Sequence, residues 1–117
     1  MRLPASTLLF IVVSASAFTH RPVTFNRDVQ PILMANCQGC HSPGHLAPMS
    51  LVTYEETAPW AREIRAMVVN EKMPPKIAES HIGLFGDSGR LSPAEIDTIV
   101  RWVDEGAREG KGSGGLR

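Results

Sequence analysis

Residues 37–41 read Cys-Gln-Gly-Cys-His and contain both cysteines of the chain. Two thiols two residues apart, with an imidazole directly after, can serve four chemistries. A zinc site needs about four ligands. His45 and His81 could supplement the thiols, but the spacing matches no common zinc module and there is no second C-x-x-C. A redox dithiol of the thioredoxin kind belongs beside a βαβ framework, and this chain reads as helix and loop. A disulfide across two residues closes a very small loop and holds little together. None of these three uses His41. Covalent haem attachment uses all three residues: Cys37 and Cys40 add to the porphyrin vinyl groups as thioethers, and His41 ligates the iron.

The compartment fits this use. Arg2 gives a positive start, an apolar run "LLFIVV" follows, and Ala15 and Ala17 place small side chains before a cut after residue 17. This is the layout of a secretory signal peptide, and the run is shorter than the ~20 residues of a membrane span. The expected organisation is a signal peptide at 1–17, one domain at 18–110 and a flexible tail at 111–117. The expected location is the periplasm or outside the cell, with no integral membrane segment after cleavage. In an oxidising compartment free thiols are usually consumed. Twelve basic and twelve acidic side chains balance, so no strong field argues for nucleic acid.

Three helical patterns must position these groups, and no strand pattern is convincing. The first spans about 26–36, with Asn26 as N-cap, Asp28 in the first turn, and Val29, Ile32 and Leu33 in one apolar stripe. Pro31 lies early enough to be tolerated. The second spans about 58–72, with Pro59 in its first turn and Trp60, Ile64, Met67 and Val68 on one face. "MPP" is expected to stop it. The third spans about 92–105. Ser92 and Glu95 form a capping box, Pro93 suits the first helical position, and Gly106 suits the left-handed position past the end. Ile96, Ile99, Val100 and Val103 line its face. The segment from Glu109 reads as a polar, disordered tail.

The connections at 42–57 and 73–91 are long for a small helical domain. Three short helices also bury little apolar surface by themselves. A large apolar cofactor that loops can wrap resolves both difficulties.

Iron in an electron-transfer haem usually takes a second axial ligand, Met or His. Met73, in "KMPP", sits on a backbone stiffened by prolines, 32 residues past His41. Met49, His45 and His81 are the alternatives. Met34 and Met67 read as core, and His20 as solvated. Trp60 and Trp102 read as helix-packing aromatics before haem shields. Arg62, Arg65 and Arg90 could pair with propionates, though each reads first as solvated. Lys72 and Lys76 flank "MPP" and are too few for a docking patch.

The stretches "TFNRDVQPIL", "CQGCH", "GHLAPMSL", "PWAREI", "MPP" and "LSPAEIDTIVRWVDEGA" run from Thr24 to Gly110. Together they resemble a bacterial mono-haem cytochrome c domain. The resemblance implies an all-α, cytochrome c-like fold, with three main helices and long loops wrapped around one haem and the first and last helices crossing beside it. It implies one covalently bound haem c on Cys37 and Cys40, with His41 proximal and Met73 of the Met-Pro loop distal. The implied activity is one-electron transfer by Fe(III)/Fe(II) cycling between a redox protein donor and acceptor, with no catalytic residues. The alternative is a haem enzyme, or a gas- or peroxide-binding protein, with an open or displaceable sixth site. For that reading His45 or His81 would supply acid–base chemistry.

Overall fold

The computed structural model describes residues 20–75 and 90–112. The candidate signal peptide, Lys76, His81 and residues 113–117 lie outside them. The described residues are helical, with no strand. None of their helices is long and apolar enough to cross a membrane.

A π-helical turn, Phe25–Val29, runs directly into α1, Gln30–Asn36. Pro31 accounts for the wide turn. Its ring would clash with the carbonyl four residues back, so the chain opens to five-residue spacing. Val29 N–H then bonds Thr24 O at 3.3 Å, and Gln30 N–H bonds Phe25 O. Val29, Ile32 and Leu33 are buried, as their spacing requires. Met34 is not core: it lies one position past the stripe and is 62% exposed.

The N-cap is Thr24, not Asn26, and its side chain makes no cap bond. The Asp28 carboxylate reaches back instead and accepts Thr24 N–H at 2.8 Å. Burial raises the Asp28 pKa, but hydrogen bonds from Arg27 and Thr24 and the charges of Arg27 and Arg21 outweigh it and hold the group below 3.8. A depressed folded pKa stabilises the fold above the unfolded value and loses that effect as pH falls through the folded one. Asp28→Asn is expected to lower stability by about 1 kcal/mol at pH 7. The difference from wild type should shrink below pH ~4, as urea unfolding at the two pH values would show.

The second helix starts four residues earlier than its proline suggests. Thr53 and Glu56 form a capping box that opens α2, Tyr54–Thr57. A 3₁₀ turn at Ala58–Trp60 carries Pro59, and α3 follows at Ala61–Val69. α4, Pro93–Asp104, begins as its sequence dictates. Ser92 Oγ accepts Glu95 N–H at 3.2 Å, and the Glu95 carboxylate accepts Ser92 N–H at 2.7 Å. Past its end Gly106 takes φ +106°. Ala107 N–H bonds Trp102 O and Gly106 N–H bonds Val103 O, the paired bonds of a Schellman motif.

α4 packs on the first helical segment through aromatic rings. Trp102, fully buried, lies 5.9 Å from Phe25, and Tyr54 meets Phe25 edge-on at 5.6 Å. Arg65 on α3 makes a two-pronged ion pair with Asp104 on α4, at 2.9 and 3.2 Å. His20 is likewise partnered: its Nε2 lies 3.1 Å from a Glu105 carboxylate oxygen.

The segment past α4 is anchored through Glu109 and Gly110, the first residues of the stretch that reads as disordered, of which 113–117 lie outside the described residues. Phe25 N–H and Asn26 N–H, unpaired donors at a helix start, bond Arg108 O at 2.8 Å and Glu109 O at 3.0 Å. Trp102 Nε1 also donates to Arg108 O, and the Tyr54 hydroxyl to Ala107 O. Gly110 makes this approach possible. It has φ +82°, and a Cβ there would stand 2.6 Å from Thr24 Cβ. Gly110→Ala is therefore expected to cost about 2 kcal/mol, since strain and overpacking both apply. A thermal midpoint equal to wild type would mean the segment is not docked in solution.

Candidate functional site

The cysteine motif is wound by the end of α1. Cys37 is the C-cap and bonds Leu33 O at 2.8 Å. Cys40 N–H and His41 N–H both bond Cys37 O, at 3.1 and 2.9 Å. This turn returns Cys40 and His41 to the neighbourhood of Cys37. The following loop is tied to the motif along its length. Ala47 N–H bonds Cys40 O at 3.1 Å, Leu51 N–H bonds His41 O at 3.0 Å, and Gln38 Nε2 donates to Leu51 O at 3.1 Å.

His41 Nδ1 lies 3.0 Å from Met49 O. A carbonyl oxygen only accepts, so Nδ1 carries the proton and donates. In the neutral ring this leaves Nε2 with its lone pair, the state an imidazole needs to ligate a metal. Met49 thus serves the site through its backbone. No side-chain pattern in the sequence signals that.

Both cysteines are free thiols. Cys37 is pushed up to about 11, first by burial and then by the charges of Glu95 and Cys40. Among the described residues no three His, Cys, Asp or Glu side chains gather where they could hold a metal ion.

The motif opens on a cavity of about 520 Å³, within the ~300–1,000 Å³ of cofactor and small-molecule sites. Cys37, Cys40 and His41 line it, with Leu46, Ala47, Pro48 and Met49 from the tied loop. The α3 stripe forms another wall: Trp60, Ile64, Met67 and Val68 all face it. Ile64 and Val68 are also core, but Trp60 and Met67 are each 41% exposed. Trp102 is therefore the helix-packing aromatic, while Trp60 belongs to the cavity. Asn36 and Glu63 are the polar wall residues besides the motif itself.

Met73 reaches the same cavity from the far end of α3. That helix ends at Val69, before the prolines, in a second Schellman motif. Lys72 N–H bonds Met67 O at 2.9 Å and Glu71 N–H bonds Val68 O at 3.2 Å, with Glu71 at φ +53°. Met73 N–H shares Met67 O at 3.2 Å. The reversal brings Met73, Pro74 and Pro75 to the cavity wall, with Met73 40% exposed.

No family model, curated protein or solved structure matches this chain. The function must therefore be argued from the site. Cys37, Cys40, His41, Met49 and Met73 are brought together. His45 is exposed in the outer part of the loop, its amide on Ser42 O, and His81 lies outside the described residues. Leu46, Pro48, Glu63 and Asn36 are wall residues that sequence reading missed. The loop "HLAPMSL", apolar where loops are usually polar, carried the signal for the first two.

The chemistry of this donor set fits a c-type haem. A porphyrin supplies the equatorial nitrogens of its iron, so the protein owes only axial ligands and thiols. His41 Nε2 and the Met73 thioether could serve as axial ligands, and Cys37 and Cys40 as the thiols, on one largely apolar cavity.

Proposed function

We propose that this chain is an exported, single-haem c-type cytochrome that carries one electron between a donor and an acceptor protein in the periplasm or outside the cell. The observation that carries the reading is convergence. Two thiols, an imidazole with Nε2 ready to ligate, and a proline-backed methionine line one apolar cavity of about 520 Å³. Bound there, the haem would supply a one-electron Fe(III)/Fe(II) couple.

The chain's own residues have distinct tasks. Cys37 and Cys40 would hold the ring by thioethers, which keeps it from being lost in an open compartment. Met49 O fixes the His41 ring and its tautomer. Met73 would occupy the sixth position, which favours electron transfer over small-molecule binding. Trp60, Ile64, Met67, Val68 and Leu46 exclude water from the ring faces and raise the potential by keeping the surroundings apolar. The exposed halves of Trp60 and Met67 have apolar area that a ring would cover.

The test is expression with a system that attaches haem c, followed by denaturing electrophoresis and oxidised and reduced spectra. The expected product retains haem after denaturation and shows the weak near-infrared sulfur-to-iron band when oxidised. A product without covalent haem ends this reading. Rapid CO binding by the reduced wild type would instead favour the open-site alternative.

A further inference from the structure

The Glu95 carboxylate links the cap of α4 to the end of α1. Glu95 lies in the first turn of α4, and both its oxygens are engaged. Oε2 accepts Ser92 N–H at 2.7 Å, and Oε1 lies 3.5 Å from Asn36 Nδ2. Asn36 is a buried polar side chain in a hydrophobic neighbourhood. It ends α1, directly precedes Cys37 and lines the cavity. Its amide nitrogen also donates to Ile32 O at 2.9 Å, so Asn36 is held from its own helix while it reaches toward Glu95. The cap alone would not need Asn36, because Ser92 and Glu95 complete their capping box between themselves.

We propose that Glu95 is a fixed negative charge that lowers the reduction potential of the group held in the cavity, and that Asn36 is the positioning residue that turns this charge toward it. The inference rests on the cytochrome reading above. A nearby negative charge stabilises the oxidised, more positive state of a one-electron couple. Partial burial weakens solvent screening, so the charge acts more strongly here than on an open surface. It meets the cavity through Asn36, a wall residue whose amide nitrogen lies 3.5 Å from Glu95 Oε1. Glu63, which lines the cavity itself, is exposed and so more strongly screened than Glu95, which stands behind Asn36. The apolar walls and Glu95 pull in opposite directions, and the pair sets the potential between them.

Glu95→Gln isolates the charge, because glutamine completes a capping box as glutamate does. Ser92→Ala is the control that weakens the cap and leaves the charge. The measurement is the midpoint potential of the haem-loaded chains, titrated against soluble one-electron mediators, with thermal melts alongside. In E95Q the reduced-to-oxidised ratio at fixed ambient potential is expected to rise about tenfold, a shift of about 59 mV for one electron. Its melting midpoint should stay near wild type. S92A should melt lower with its potential nearly unchanged. A haem-loaded E95Q at the wild-type potential overturns the role of Glu95 and leaves the cytochrome reading standing. Equal shifts in E95Q and S92A overturn it too, by tracing the effect to the cap. A wild-type chain that takes up no covalent haem overturns both.

Discussion

A chain carrying Cys37→Ala and Cys40→Ala together is expected to lose all haem under denaturing conditions and to melt far below the wild type. The argument starts from the inventory. These are the only two cysteines in the chain, and both lie at the cavity. Without thioethers the ring would be held by axial ligation and apolar contact alone. A tether raises the effective concentration of a ligand without adding a contact. If the attached ring acts at a thousand times its dissociation constant, the tether contributes about 4 kcal/mol to the folded state. For a domain of about 100 residues this is on the order of 16 °C or more in melting temperature. Denaturing electrophoresis with haem staining and a thermal melt read both effects. The result that defeats the idea is a double variant that still carries covalent haem, or one that melts with the wild type. Each single variant should keep one thioether and fall between.

Met73→Ala is the second large effect. The Schellman motif past α3 holds Lys72 and Met73 amides on the same Met67 carbonyl, and Pro74 and Pro75 stiffen the chain beyond. A thioether held this way loses little freedom on ligation. Its removal is expected to abolish the near-infrared sulfur-to-iron band and open the reduced protein to CO. It should also lower the midpoint potential by at least about 100 mV, a modest part of the roughly 0.8 V that axial ligands span. Met49→Ala provides the contrast. Met49 contributes through its carbonyl to His41 Nδ1, which alanine supplies equally well, so that variant should keep the band. A Met73→Ala protein with an unchanged spectrum would assign the sixth position to another side chain, with His81 the first to replace.

How far the sequence reveals this molecule differs from element to element. α4 is legible almost to the residue, because Ser92, Pro93, Glu95 and Gly106 each state a local rule and the helix follows them. The start of α2 was equally written, in Thr53 and Glu56, but Pro59, three residues past Glu56, is a louder signal for a helix start and hides it. The first helical segment obeys its apolar stripe, while its cap moves from Asn26 to Thr24. The side chain that caps, Asp28, lies inside the turn and reaches backward, which a scan for a preceding polar residue does not look for. The α3 stripe is right as a pattern and incomplete as an assignment, since one apolar face is shared between core and cavity. Met49 O and the carbonyls of Arg108 and Glu109 contribute through the backbone, and residue type says nothing about that.

The docking of residues 108–110 onto Thr24, Phe25 and Asn26 has a consequence for architecture at larger scale. Chain entering at Thr24 and chain leaving at Gly110 pass through one spot on the surface. Domains whose ends meet can be spliced into a surface loop of another protein without prying the host apart. The unit from His20 to Gly110, which keeps the buried Val23 and its bond to Glu105, would thus serve as a cassette. A host carrying it would need only two short linkers to display the cavity and its cysteine motif.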